Sequence, residues 1–150
     1  MFWDYLLLFL SAFGAATILP FYSEVVLVGL LIKSPDQWVT LWFVASLGNT
    51  LGAWVNWYIG LYLLHYKDSK YFPFKGRALD TAQAWFQKYG VWSLLMAWAP
   101  IGGDAITFIA GVMRVKLGVF LTLTFIGKAL RYLILVAATL ELGLLELLSE

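Results

Sequence analysis

From Gln37 to Tyr66 the chain runs for 30 residues without an Asp, Glu, Lys or Arg. A membrane-spanning α-helix needs about 20 predominantly apolar residues, so this stretch predicts one transmembrane helix over roughly 38–64. Two other apolar runs are interrupted. Residues 5–32 are broken at Pro20 and carry Glu24; residues 90–113 are broken across Pro100, Ile101, Gly102 and Gly103 and carry Asp104. The pieces after each break, 24–32 and 104–113, are about half a span long. In lipid a freed backbone N–H or C=O has no water partner, so irregular backbone survives only where protein shields it or where it lines a cavity. The economical reading is a pair of re-entrant helical hairpins, in which a helix enters, turns at a proline loop and leaves on the same side. The alternative is a proline-kinked full span in each place. Residues 117–140 predict a second span, with Lys128 and Arg131 near its middle.

Between these runs the periodicity changes. Over 76–89, Ala78/Leu79, Ala82, Trp85/Phe86 and Tyr89 recur at helical spacing opposite Arg77, Asp80, Thr81, Gln87 and Lys88. This predicts an amphipathic helix lying in the membrane interface. Residues 66–75, with Pro73 and several lysines, read as a loop.

The two interrupted runs also match each other. Pro20 and Glu24 recur as Pro100 and Asp104 at an offset of 80 residues, and Gly48-Asn49 finds a counterpart in Gly127-Lys128 at an offset of 79. Interrupted hydrophobic segments at matching places in two halves point to a repeat transporter with its site at the interruptions. A hairpin plus one span crosses the membrane once, so the second half enters from the opposite side. The expected fold is therefore an all-α polytopic membrane protein built as an inverted repeat. Each half is a re-entrant helical hairpin plus a transmembrane helix, with an interfacial amphipathic helix between them. Residues 1–150 form one membrane domain: the first repeat covers about 1–65, the amphipathic linker about 66–89, and the second repeat about 90–150. Lys67, Lys70, Lys75, Arg77, Lys88, Arg114 and Lys116 cluster on the middle-loop side, which the positive-inside rule places in the cytoplasm, with both termini outside. That orientation inverts if the first segment is a true span.

Composition supports this picture. Charged residues make up 13% of the chain and hydrophobic ones 62%, against about 25% charged in a soluble domain. Eight Trp and eight Tyr suit the membrane interface. The start of the chain lacks the basic region of a signal peptide and carries Asp4 instead, so the first segment is expected in the mature protein. A net charge of +1 gives no basic surface for nucleic acid. There is no cysteine and one histidine, His65, so neither a thiolate nor a two-histidine metal site is expected, and no cofactor.

The candidate chemistry lies in the interruptions. Ionisable groups at membrane depth are costly and mark function by default. Glu24 and Asp104 each open a half-helix; the bland reading is that they cap it, alongside Ser23 and Gly103. Lys128 and Arg131 lie one turn apart and need anions: Glu24, Asp104 or a substrate phosphate, although a permanent structural ion pair is the plain alternative. Asn49 and Asn56, seven residues apart on one face, are expected to hydrogen-bond the hairpin loops. Gly48, Gly52 and Gly60 predict a close-packed face. Arg114 is expected at the cytoplasmic surface, in contact with lipid headgroups.

The stretches LPFYSEVVLV (19–28), GNTLGAWVNWYIG (48–60), FQKYG (86–90), WAPIGGDAITFIAGVMR (98–114) and GKALRY (127–132) resemble the DedA family, also called VTT or SNARE-associated domain proteins, and within it the small bacterial YqaA-like branch. The resemblance implies paired re-entrant hairpins and movement of lipids, such as undecaprenyl phosphate or phosphatidylethanolamine, with proton coupling. One departure stands out. The broader family places arginines around the second proline in an R-F-x-P-x-x-R pattern, where this chain has Ala97 and Gly103. The acid of the first hairpin is kept as Glu24.

The function expected is therefore lipid transport, of flippase or scramblase type, in the bacterial inner membrane. Pro20, Ser23, Pro100, Gly102 and Gly103 would form the hairpin loops. Glu24, Asp104, Lys128, Arg131 and Asn49 would bind substrate and protons. The partners are membrane phospholipid or polyprenyl phosphate and protons; homo-oligomerisation is left open. A small-cation or proton exchanger and a non-catalytic assembly protein are the competing readings. An enzyme is not expected, because neither a Gly-x-Ser-x-Gly nor a His-Glu-x-x-His motif is present.

Overall fold

The computed structural model describes residues 1–16, 22–63, 77–99 and 103–149. Pro20, Pro100, Gly102 and the 66–75 loop lie outside the described residues. All regular structure among those described is helical. In chain order it comprises α1 (Phe2–Ala15), α2 (Tyr22–Lys33), a short 3₁₀ turn (Pro35–Gln37), α3 (Trp38–Leu63), α4 (Arg77–Tyr89), a 3₁₀ segment (Gly90–Trp98), α5 (Gly103–Val112) and α6 (Leu117–Ser149).

The local sequence explains these elements. In α1, Leu8, Ala12 and Ala15 fall on one buried face, and in α2 Ser23, Leu27 and Leu31 do the same at four-residue spacing. α2 stops at Lys33, ahead of Ser34-Pro35, where the residue before proline is pushed out of helical geometry. α5 is buried on every side from Ala105 to Gly111, which matches a helix that is apolar all round. It ends in a hydrogen-bonded reversal: Val115 N–H reaches the Ala110 carbonyl at 3.0 Å and Arg114 N–H the Gly111 carbonyl at 3.0 Å. Arg114 sits there at φ 55, a left-handed position that usually belongs to glycine.

α3 and α6 form the frame. α3 has 26 residues and α6 has 33, or about 39 Å and 50 Å at 1.5 Å per residue. Both exceed the hydrocarbon thickness of about 30 Å. The two run antiparallel: Trp42 Nε1 donates to the Ala129 carbonyl at 2.8 Å, and Trp57 packs on Phe120. Among the described residues, the Leu117–Glu146 stretch of α6, with mean hydropathy 1.8, alone is both long and apolar enough to cross a membrane. α3 lacks ionisable side chains, but its Trp, Tyr, Asn and Gly residues lower its hydropathy. α6 also continues past the expected end at 140, to Ser149.

α1 and α2 fold back on each other. Lys33 Nζ at the end of α2 contacts Asp4 at the start of α1 at 3.2 Å, and Tyr5 donates to Gln37 beside them. α1 lies alongside α3, and α2 alongside α6. The second half pairs in the same way. Its inbound arm, the 3₁₀ segment, lies along α6, while α5 lies along α3. The inbound arm differs from the α-helix expected there. Nine residues of 3₁₀ structure is an uncommonly long run, and its rise of about 2.0 Å per residue gives about 18 Å. That nearly matches the ~21 Å of the 14-residue α1. The two segments are thus of similar length although one has five fewer residues.

Glycines set the separations. A Cβ on Gly48 would lie 2.7 Å from the Phe9 carbonyl oxygen, and one on Gly127 2.7 Å from that of Leu95. Gly52 meets Phe13 of α1 and Gly60 meets Phe108 of α5 in the same manner, while Gly111 of α5 abuts Trp57. The predicted small-residue face is real but serves two partners.

Two apolar cores result, one at each end of the α3/α6 pair. The first gathers Leu8, Leu27, Leu31, Leu41 and Val136; the second gathers Leu94, Ile106, Phe108 and Phe120, with Ala82 and Phe86 of α4. The amphipathic stripe of α4 is therefore split: Ala82 and Phe86 face inward, while Trp85 and Tyr89 stack on each other at 5.0 Å and are exposed.

Candidate functional site

Between the two cores lies a band of polar side chains. Glu24 comes from the first turn of α2, Asp104 from the first turn of α5, Asn49 from the middle of α3, and Lys128, Arg131 and Tyr132 from the middle of α6. Ser23, one residue before Glu24, faces the same band. Helix periodicity explains the grouping on α6: residues three and four apart share a face, so Arg131 and Tyr132 both lie one turn beyond Lys128.

Two ion pairs organise the band. Arg131 pairs with Glu24, and Lys128 Nζ lies 3.6 Å from Asp104 Oδ1. The environments differ. The Arg131 and Glu24 side chains are 23% and 27% exposed, whereas in the second pair Lys128 is 6% exposed and Asp104 31%. Arg131 also donates from its other amino group to the Trp98 carbonyl at 2.9 Å. One guanidinium therefore joins the beginning of α2 to the end of the 3₁₀ arm. Its planar fork suits this, because it can hold two acceptors in fixed directions.

A hydrogen-bond chain links the pairs from behind. Lys128 donates to Asn49 Oδ1, Asn49 Nδ2 donates to the Tyr132 hydroxyl at 3.0 Å, and that hydroxyl lies 2.8 Å from Ser23 Oγ. Nearby, Asn56 Nδ2 donates to the Ala16 carbonyl at 2.9 Å at the end of α1, and to Thr107 Oγ1 of α5 at 3.4 Å. A small cavity of ≈ 10 Å³ opens among Asn49, Asp104, Lys128 and Arg131, with Ala15, Ala97 and Ala99 closing it. That is room for about one water.

The sequence reading placed Glu24, Asp104, Lys128, Arg131 and Asn49 in one site, and the structure brings these five together. Ser23 joins them through Tyr132. Gly103 lies against the Ala97 carbonyl, where a Cβ would come to 2.6 Å, so the 3₁₀ arm and α5 start side by side. Asn56 bonds the Ala16 carbonyl at the end of α1, and Asn49 bonds Lys128 and Tyr132; the loop residues expected as their partners lie outside the described residues. Arg114 does not join the cluster; it is exposed at the far end of α5. Two participants went unread: the Trp98 carbonyl, which no side-chain pattern signals, and Tyr132, which its four-residue spacing from Lys128 could have revealed. Among the described residues no group of three or more His, Cys, Asp or Glu could hold a metal ion.

The VTT domain family matches residues 19–140, which include every side chain of this band. The chain is 37% identical over 136 residues to the inner membrane protein YqaA of Escherichia coli, covering 89% of each. It is 32% identical over 135 residues to an uncharacterised Haemophilus influenzae protein, covering 85% of this chain and 82% of that one. It is also 32% identical over 143 residues to the undecaprenyl phosphate transporter A of Staphylococcus aureus, covering 81% of this chain and 70% of that protein. No solved structure matches. With the family match covering residues 19–140, this chain belongs to the VTT-domain, or DedA, family.

Proposed function

We propose that this protein transports a phosphate-bearing lipid across the bacterial inner membrane and that Glu24 and Asp104 couple transport to protons. The observation that carries this reading is the double role of Arg131, which pairs with Glu24 and holds the Trp98 carbonyl. Two cations facing two carboxylates leave the cluster neutral and unattractive to an anion. Protonating a carboxylate frees its cation, and the cluster then carries net positive charge in a low-dielectric setting, where a phosphate is held strongly. The first turns of α2 and α5 add the partial positive charge of helix N-termini. The ≈ 10 Å³ cavity is far smaller than a phosphate group, so binding requires the ends of the two arms to part. The Staphylococcus aureus relative, named an undecaprenyl phosphate transporter, favours a polyprenyl phosphate among the candidate lipids.

In this reading α1/α2 and the 3₁₀ arm/α5 are re-entrant hairpins of an inverted repeat, entering from opposite faces. The matched pairing of arms with α3 and α6, and the apolar core at either end of that pair, support it. The middle loop is cytoplasmic, and Arg114 meets lipid headgroups there. The competing cation-exchange reading has less support, because each carboxylate already faces its own cation.

The test is reconstitution into vesicles with a panel of labelled polyprenyl phosphates and phospholipids, with and without a pH gradient, beside ion-flux dyes. Phosphate-lipid movement that responds to the gradient is expected. Ion flux with no lipid movement would overturn the proposal.

A further inference from the structure

The hydrogen-bond chain behind the ion pairs has a fixed direction, and the chemistry of its first member sets it. A lysine ammonium donates only. Its partner on Asn49 is therefore the amide oxygen, which turns the amide nitrogen toward Tyr132. The phenolic oxygen thus accepts from Asn49, and it shares a further hydrogen bond with Ser23 Oγ, 2.8 Å away, in which either hydroxyl can donate. Lys128 thus fixes the direction of the chain as far as Tyr132. All five side chains involved, Ser23, Asn49, Tyr132, Lys128 and Asp104, come from four different helices. The Tyr132 ring is 2% exposed and sits in the apolar core with Leu27 and Val136, so its hydroxyl has little freedom to find another partner.

We infer that Tyr132 is a positioning residue that couples the two ion pairs. Its hydroxyl bonds Ser23, and so holds the start of α2 and the adjoining Glu24 in place, while Lys128 is docked between Asn49 and Asp104. When Lys128 leaves Asn49, the amide is free to turn, the polarity of the chain is no longer imposed, and the hold on Ser23 weakens. A change at the buried pair in the second half is thereby felt at the first half, about 10 Å away through successive hydrogen bonds of roughly 3 Å each. Hydrogen bonds in such chains polarise one another, and removing one member is felt along the chain. The use of this coupling in transport rests on the lipid reading above; the coupling itself does not.

The experiment exploits the absence of cysteine from the chain. A single thiol from Tyr22→Cys, at an exposed position beside Ser23, is given a trifluoromethyl label, and its fluorine NMR signal is followed in detergent. Lys128→Met is expected to move or split the signal. Tyr132→Phe, which keeps the ring and removes the hydroxyl, should give the same displaced signal, and adding Lys128→Met to it should change nothing further. If Tyr132→Phe fails to fold, Ser23→Ala breaks the chain at its other end and should remove the Lys128→Met response in the same way. The inference is overturned if Lys128→Met leaves the signal unmoved, or moves it equally in the Tyr132→Phe or Ser23→Ala background. No lipid or gradient is involved, so the result is independent of whether the protein carries lipid.

Discussion

Arg131 of α6 donates to the main-chain carbonyl of Trp98, 33 residues earlier in the chain, at 2.9 Å, while the same guanidinium pairs with Glu24. The start of α2 and the end of the 3₁₀ arm therefore share one cation. Glu24→Gln should leave the fold intact, because the glutamine amide oxygen can still accept from Arg131. Coupled transport should nevertheless be abolished, since glutamine cannot take up the proton. Arg131→Ala should abolish it too. Arg131→Lys should rescue only in part, because a point charge cannot hold both acceptors as a fork does. The double variant Glu24→Gln/Arg131→Gln should stay inactive in the vesicle assay. Recovered transport would mean that the two residues only neutralise each other.

The second pair behaves differently because its cation is buried: the Lys128 side chain is 6% exposed, although that of Asp104 is 31% exposed. Lys128→Met leaves Asp104 facing an apolar side chain, and because that carboxylate is 31% exposed the loss should fall below the roughly 3–5 kcal/mol of a fully buried unpaired charge. Asp104→Asn strands the ammonium of Lys128, whose side chain is 6% exposed, and should cost a similar amount. Combining Asp104→Asn with Lys128→Met should recover much of the thermal stability lost by either single variant in detergent, yet restore no transport. If the losses simply add, the two groups do not interact as their 3.6 Å separation implies.

The ionisable members of this site were legible because Glu24, Asp104, Lys128 and Arg131 stand out inside apolar runs where charge is costly. Their pairing was not. Whether Glu24 meets Lys128 or Arg131 depends on how α2 lies along α6, a matter of side-chain packing across elements 107 residues apart in sequence. Tyr132 escaped notice because a tyrosine in a membrane chain is ordinarily read as an interfacial anchor, although this one is buried at 2%. The 3₁₀ form of Gly90–Trp98 had no signature either: the segment is apolar nearly throughout, and nothing in its pattern separates a 3₁₀ helix from an α-helix. α3 shows the limit of counting charges. Its freedom from ionisable groups was plain, but its glycines and asparagines already recorded that one face belongs to other helices.

Those glycines make a stability prediction. Gly60 of α3 abuts Phe108 and Gly111 of α5 abuts Trp57, backbone against backbone, with no space for a Cβ. Gly60→Ala and Gly111→Ala should force α3 and α5 apart, and overpacking of this kind costs about 1–3 kcal/mol each. Gly29 of α2 and Gly143 of α6 have nothing within 4 Å of an added Cβ. Gly29→Ala and Gly143→Ala should be neutral or stabilising by up to ~1 kcal/mol, from helix propensity. Thermal unfolding of the four variants in one detergent checks the contrast; similar losses in all four would contradict the close approach.

The last prediction concerns sidedness, where the hairpin and the kinked span part company. Asp4 meets Lys33 at 3.2 Å and the N-terminal ammonium at 3.4 Å, so the two outer ends of α1 and α2 lie together. Those cations hold the Asp4 carboxyl below its ordinary value, chiefly through the hydrogen bond from Lys33. A carboxylate with a lowered pKa keeps its stabilising pair above the unfolded value and loses it only as pH falls through the folded one. The mouth should therefore stay clamped at neutral and mildly acidic pH and loosen only in stronger acid. Thiols introduced by Phe2→Cys and Ile32→Cys, one at each outer end, should then react with a membrane-impermeant reagent from the same face of the membrane. Lys116→Cys, just before α6 and exposed, should react from the other. A kinked full span puts the first two on opposite faces. Labelling of Phe2→Cys and Ile32→Cys from opposite sides at neutral pH would therefore end the re-entrant reading, and with it the midplane meeting of Glu24, Arg131 and Trp98 on which the transport proposal stands.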